Sequence, residues 1–220
     1  MQYVTLIQRV RHIIDDPSYT NDDIGERLNE GMLEIAGEHL LPQLRTSSTV
    51  STSTTNPYVS LPSNFHRHLF HVYSSTQNAV IAKGERIYHL SRLIKAYPGL
   101  DSTGSIAKLA LSGRTLYYQP KPASADTLTL WYYRKPVEMS ANTDEPDGLP
   151  VHVHRKLLVN YVAREIFDEL EEDGSRVQFE KYAAKFQLAE MELDTFLTQE
   201  GAYEGPPEEI YDDADYPDGW

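Results

Sequence analysis

Over the first 40 residues, apolar side chains recur at helical spacing. Tyr3, Ile7, Val10 and Ile14 fall at steps of four, three and four, which predicts a helix from Tyr3 to Ile14. Asp15-Asp16-Pro17 stops it. Thr20 opens a capping-box-like start, with Asp23 in the place of the usual Glu. Ile24, Leu28, Met32, Ile35 and His39 or Leu40 then form a second stripe that Pro42 closes. Both stripes need an apolar partner outside the pair.

From Thr46 the helical period gives way to alternation, rich in Ser, Thr and aromatics. Strands are predicted over Thr46–Thr52, Tyr58–Leu61, Leu69–Tyr73, Ala107–Leu111, Thr115–Gln119 and Thr127–Arg134. In the last, Leu128, Leu130 and Tyr132 face one side, and Thr129, Trp131 and Tyr133 the other. Gly84 to Tyr97 reads as a short helix through Ile87, Leu90 and Leu93 or Ile94, ended by Pro98-Gly99. Pro136–Pro150 has the composition of a linker.

The helical period then returns. Val151, Leu158, Val162, Ile166 and Leu170 make one stripe. After a turn at Asp173-Gly174-Ser175, Phe179, Tyr182, Phe186, Ala189, Leu193 and Phe196 or Leu197 make another. The expected fold class is α+β, mainly α: a four-helix bundle formed by the N- and C-terminal helical pairs, with a β-rich lobe inserted between them and an extended C-terminal arm. The divisions are a helical hairpin over 1–45, a β-rich lobe over 46–135 with a short helix near 85–97, a linker over 136–150, a second helical pair over 151–199 and an arm over 200–220.

The arm changes the functional picture. It carries eight carboxylates between Glu200 and Asp218, no Lys or Arg, and aromatic residues at Tyr203, Tyr211, Tyr216 and Trp220. Such a segment does not collapse on itself, yet its spaced aromatics suit docking along another protein. Tyr203, Tyr211, Asp212, Asp213, Tyr216 and Trp220 are its candidate docking residues.

The 220-residue chain has a net charge of −13, which argues against a conventional DNA-binding surface, since such binding rests on neutralised phosphates. The absence of cysteine excludes disulfides and thiolate chemistry. No apolar run approaches the ~20 residues that span a bilayer, and the start lacks the apolar core of a signal peptide. A soluble protein, made in the cytoplasm, is expected.

Catalytic signatures are missing. There is no G-x-S-x-G, Walker A, G-x-G-x-x-G or H-E-x-x-H. His66 and His68 would share a strand face, with His71 nearby and His152 and His154 farther on, but no third ligand is nominated; solvated or interface histidines fit better than a metal site. Asp212, Asp213 and Asp215 lack the glycine turn and terminal Glu of a calcium loop. Glu165, Asp168, Glu169, Glu171 and Glu172 are what a charged helix face supplies by default. Tyr117, Tyr118, Trp131, Tyr132 and Tyr133 could stack sugars, although aromatics in adjacent strands more often build the sheet's own core.

The segments LIQRVRHIIDDPSYTNDDIGERLNEGMLEIA, LLPQLRTSSTVSTSTTNPYVSLPSNFHR and LTLWYYRKPVEMSANTDEPDGLPVHVHRKLLVNYVAREIFDEL resemble the head-to-tail adaptor, or connector, proteins of tailed bacteriophages, and most closely those of short-tailed phages. The resemblance reaches about Leu197. It implies a structural virion protein at the head–tail junction, without enzymatic activity or cofactor, forming a homo-oligomeric ring of usually twelve copies beneath the portal. The ring would continue the DNA channel and let DNA pass without specific binding. Implied partners are the portal protein, neighbouring copies, and the tail nozzle, tail tube or tail fibres. On this reading Tyr117, Trp131 and Tyr133 belong to a tail-facing surface of the lobe. The rival classes are a carbohydrate-binding component and a cell-wall hydrolase component of a tail.

Overall fold

In the computed structural model, which describes residues 1–83, 87–170 and 175–199, the chain is shared between two units. One takes Met1–Leu44 and the described part of Lys135–Tyr203; the other takes Arg45–Arg134.

In the first unit, helix α1 (Tyr3–Ile14) buries Leu6, Ile7, Val10 and Ile14. Asp15 ends it in the left-handed region, at φ 51°, where its N–H donates to the carbonyl of Arg11. Helix α2 (Asn21–Glu38) begins at a full capping box. The Asp23 N–H donates to Thr20 Oγ1 at 3.2 Å, and the Thr20 N–H donates back to Asp23 Oδ2 at 2.9 Å. Its buried stripe is Ile24, Leu28, Met32, Ile35 and Ala36. Gly31 lies on that side because a Cβ there would come within 2.5 Å of the Tyr161 ring.

The segment between Lys135 and Val153 is a packed strap rather than a loose connection. Met139, Leu149 and Val153 are at most 3% exposed. Asn29 holds both backbone groups of Met139, accepting from its N–H at 2.9 Å and donating to its carbonyl at 3.0 Å. The Asp144 carboxylate accepts from the N–H groups of Ser140 and Ala141 at 2.8 Å each, and Asp147 accepts from that of Val137 at 2.8 Å. Its composition hides this because the side chains that read as loop formers tie down their own backbone.

The strap leads through a π-helical turn (Arg155–Val159) into α4 (Asn160–Glu169), which buries Tyr161, Val162, Ala163 and Ile166. Helix α5 (Ser175–Gln199) buries Tyr182, Phe186, Ala189, Leu193 and Leu197. Val151, placed by spacing in the α4 stripe, is instead 68% exposed, because the regular helical period starts only after the π turn.

The second unit is all sheet apart from one short helix. Its strands are β1 (Arg45–Ser51), β2 (Tyr58–Ser60), β3 (Phe65–Ser74), β4 (Ala79–Lys83), β5 (Ile87–His89), β6 (Lys108–Ser112), β7 (Thr115–Gln119) and β8 (Thr127–Arg134), with α3 (Leu90–Ala96) between β5 and β6. They form two four-stranded sheets, ordered β1-β8-β3-β4 and β2-β7-β6-β5. All pairings are antiparallel except β5 with β6. That parallel pair is joined through α3, as a parallel connection requires a crossover.

The two sheets share one core. Leu128, Leu130 and Tyr132 of β8 meet Leu109 of β6 and Leu116 and Tyr118 of β7, with Phe65, Leu69, Val72 and Ala82 from β3 and β4. At one end Asp126 is 3% exposed. Its carboxylate accepts from the Ser74 hydroxyl, from the Ser75 hydroxyl at 3.3 Å and from the Thr76 N–H at 3.1 Å. Its own N–H donates to Thr52 Oγ1 at 2.9 Å.

These features overturn the mainly-α four-helix bundle. The chain is α+β, with eight strands in two sheets and five α-helices among the described residues. The strands do not decorate a bundle; they bury a core of their own. The helices do not form an even bundle either. By rise per residue, α4 is roughly 15 Å long against roughly 37 Å for α5, and the strap supplies part of the apolar contact that a fourth full-length helix would give.

Candidate functional site

Helix α5 is apolar on two sides. Tyr182, Phe186, Ala189, Leu193 and Leu197 face the unit's core. On the opposite side lie Val177, Ala184, Leu188, Met191 and Thr195, at steps of seven, four, three and four. Val177 is 66% exposed, Leu188 65% and Met191 64%. A helix that only had to close its own core would carry polar residues there. Burying each of the three large side chains against a partner is worth about 1.5 to 3 kcal/mol.

The stripe ends beside an open hollow of about 360 Å³ lined by His152, Met191, Glu192, Thr195, Phe196 and Gln199. The His152 ring meets that of Phe196 at 4.9 Å, and Lys156 braces the rim with its ammonium 2.7 Å from Glu192 Oε1. The hollow therefore sits at the last turns of α5, where the chain leaves toward the acidic segment. The outer stripe could have been found in the sequence, since its spacing is regular. It was obscured by the stronger stripe on the other face.

The arm residues Tyr203, Tyr211, Asp212, Asp213, Tyr216 and Trp220 lie outside the described residues, as does Asp215. In the strand-rich unit, Tyr117 is half-buried against Tyr58, with ring centroids 5.6 Å apart, and Trp131 is half-buried with its ring 4.7 Å from His71. Tyr133 is 4% exposed, and its hydroxyl accepts from Arg45 Nε at 2.8 Å. It belongs to the packing of its sheet, with Phe70 and His68 against its ring. Tyr118 and Tyr132 are core residues, 0% and 1% exposed. The aromatics are thus divided among a core and separate pairs, and do not make the continuous platform that a sugar would stack on.

The histidines do not converge. The pairing of β3 with β8 shifts register between Phe65 and His71, and His68 sits at φ 51°, so the alternation that would align His66 with His68 is broken. Burial, and then the charges of Arg67 and Arg45, hold the His68 pKa below its ordinary value. His154 is 1% exposed, with Nε2 2.8 Å from the Leu149 carbonyl.

Two of the three carboxylates of α4 are engaged in ion pairs, and Glu171 and Glu172 lie outside the described residues. Glu169 takes both terminal nitrogens of Arg27, at 2.8 and 2.7 Å, and Glu165 pairs with Arg164 at 2.8 Å. Tyr161, whose hydroxyl donates to Glu34 at 2.5 Å, is driven well above the usual phenol range by burial and then by that carboxylate. This is a half-buried link between α2 and α4.

A family model described as SU10 adaptor protein matches residues 1–207. The chain belongs to the SU10 adaptor protein family. The adaptor is thus a bacteriophage structural protein and a component of the virion, which bears out the resemblance to phage head-to-tail adaptors. Membership points to a structural rather than an enzymatic role. No curated protein matches the chain, and no described helix is long and apolar enough to cross a membrane. The match takes in both units and Tyr203, but stops short of Tyr211, Asp212, Asp213, Tyr216 and Trp220.

Proposed function

We propose that this adaptor forms a ring beneath the portal, of twelve copies on the pattern its resemblance implies, joining the DNA-filled head to the tail and continuing the DNA channel. The observation that carries the proposal is the family match across residues 1–207. The second apolar face of α5 supports it, because it supplies the surface an assembling subunit needs. Segment 200–220 docks on the portal through Tyr203, Tyr211, Tyr216 and Trp220, while Asp212 and Asp213 select a basic receiving surface. Each copy bears an ordering cost of ~2 to 5 kcal/mol, which many copies in one ring offset by avidity. Tyr117 and Trp131 lie on the lobe that meets the tail nozzle, tube or fibres. The net charge of −13 lets DNA slide past without specific binding.

The test is to mix the purified adaptor with its cognate portal ring, comparing the full chain with one ending at Gln199, and to read mass and ring formation. The full chain is expected to add as a closed ring, and the shortened chain to bind about tenfold or more weakly. Failure of both forms to bind the portal would overturn the proposal. Equal binding by both would remove the arm from it.

A further inference from the structure

The C-terminal end of α2 and the middle of α5 bring together side chains that the docking role does not use. Glu38, the last residue of α2, His39, its C-cap, and Glu190 of α5 each place one ligand atom so that all three lie within 4.8 Å of one another. A second carboxylate on α5 orients the imidazole: Asp194 Oδ1 is 3.0 Å from His39 Nδ1. The other ring nitrogen, Nε2, is buried and has no hydrogen-bond partner. An orphaned buried imidazole nitrogen calls for an explanation.

We infer that Glu38, His39 and Glu190 form a site for a divalent transition metal of the zinc type, with Asp194 as the outer carboxylate that orients the histidine. Asp194 engages Nδ1, so Nε2 gives its lone pair to the metal. This is the carboxylate–histidine–metal relay that fixes ligating imidazoles elsewhere. One imidazole and two carboxylates suit zinc, cobalt or nickel better than calcium or magnesium, which take oxygen alone. A water completes the tetrahedron. The C-terminal carbonyls of α2 add negative potential at the same place.

The charge balance without a metal is poor. Glu38 and Glu190 bring two carboxylates within 4.8 Å of each other, and Asp194 adds a third beside His39. A divalent cation relieves that crowding of like charges. It would clamp the end of α2 to α5, the helix that runs on into the acidic arm.

The site is tested on the full chain with zinc alone, by calorimetry and thermal unfolding. Wild type is expected to bind one equivalent saturably at this site and to unfold at a higher temperature when zinc is present. Glu190→Gln and His39→Gln should each weaken that event about tenfold or more and abolish the thermal shift, while His71→Ala leaves both unchanged. The unmodified chain gives an independent readout: its imidazole ¹⁵N spectrum should show one histidine, His39, converted to the metal-bound form. No saturable binding by wild type, binding undiminished in both variants, or a metal-bound histidine other than His39 would overturn the site.

Discussion

Replacing Asp126 with Ala lowers the stability of the strand-rich unit by about 2 to 5 kcal/mol, through the donors that the lost carboxylate leaves unpaired. The side chain holds the ends of three segments together, accepting from Ser74, Ser75 and Thr76 while its backbone is paired with Thr52. Ala leaves the Ser74 hydroxyl and the Thr76 N–H without their acceptor, and each orphaned group costs about 1 to 3 kcal/mol. Trp131, in the strand that starts one residue later, reports unfolding of this unit by its fluorescence in a urea titration. An unchanged midpoint would mean that water replaces the carboxylate at little cost.

The same residue sets a pH dependence. Burial pushes its pKa upward, but the hydrogen bonds from Ser74, Thr76 and Thr127 outweigh burial and hold the carboxyl below its ordinary value. A lowered folded-state pKa means that the unfolded chain takes up the proton first. The stabilisation is therefore complete above the unfolded value of about 4 and is lost as the pH falls through the lower folded value. Asp126→Asn should flatten the acid limb of the stability profile relative to wild type.

Gly148→Ala is the second large effect, about 2 to 4 kcal/mol in the helical unit. Gly148 sits at φ 84°, a conformation costly for any L side chain, and an added Cβ would come within 2.6 Å of Leu44 Cγ and Cδ2. Leu44 is 1% exposed and cannot swing into solvent without opening the core. Leu44→Ala, which vacates that space, should relieve the steric part of the penalty but not the backbone part. A double-mutant cycle by thermal unfolding separates the two, and strict additivity would show that the methyl group and Leu44 do not meet.

How much of this was legible in the sequence differs by element. The α1 and α2 stripes and the β8 alternation could be read because each element buries one face, and burial of one face writes a period into the chain. Strand β4 could not, since it ends its sheet and leaves Val80 42% exposed. Strand β5 was absorbed into the helix that follows it, because Ile87, Leu90 and Leu93 fit a helical period by coincidence over so short a stretch. The strap at 135–153 read as a linker, its order coming from Asn29, Asp144 and Asp147 bonds that spacing does not encode. In the candidate site, the outer stripe of α5 was present in the spacing, whereas the meeting of Glu38 and His39 with Glu190 depends on tertiary packing across some 150 residues of chain.

In the register of β1 against β8, Arg45 lies opposite Tyr133. The polypeptide therefore enters the strand-rich unit and departs from it through neighbouring positions, on a two-stranded stem. A stem of that kind is a natural seam for recombination. Everything between Arg45 and Arg134 could be exchanged for another insert, or for a tight reverse turn, without rethreading the helices on either side. A chain built this way can keep its helical unit while its strand-rich unit diverges.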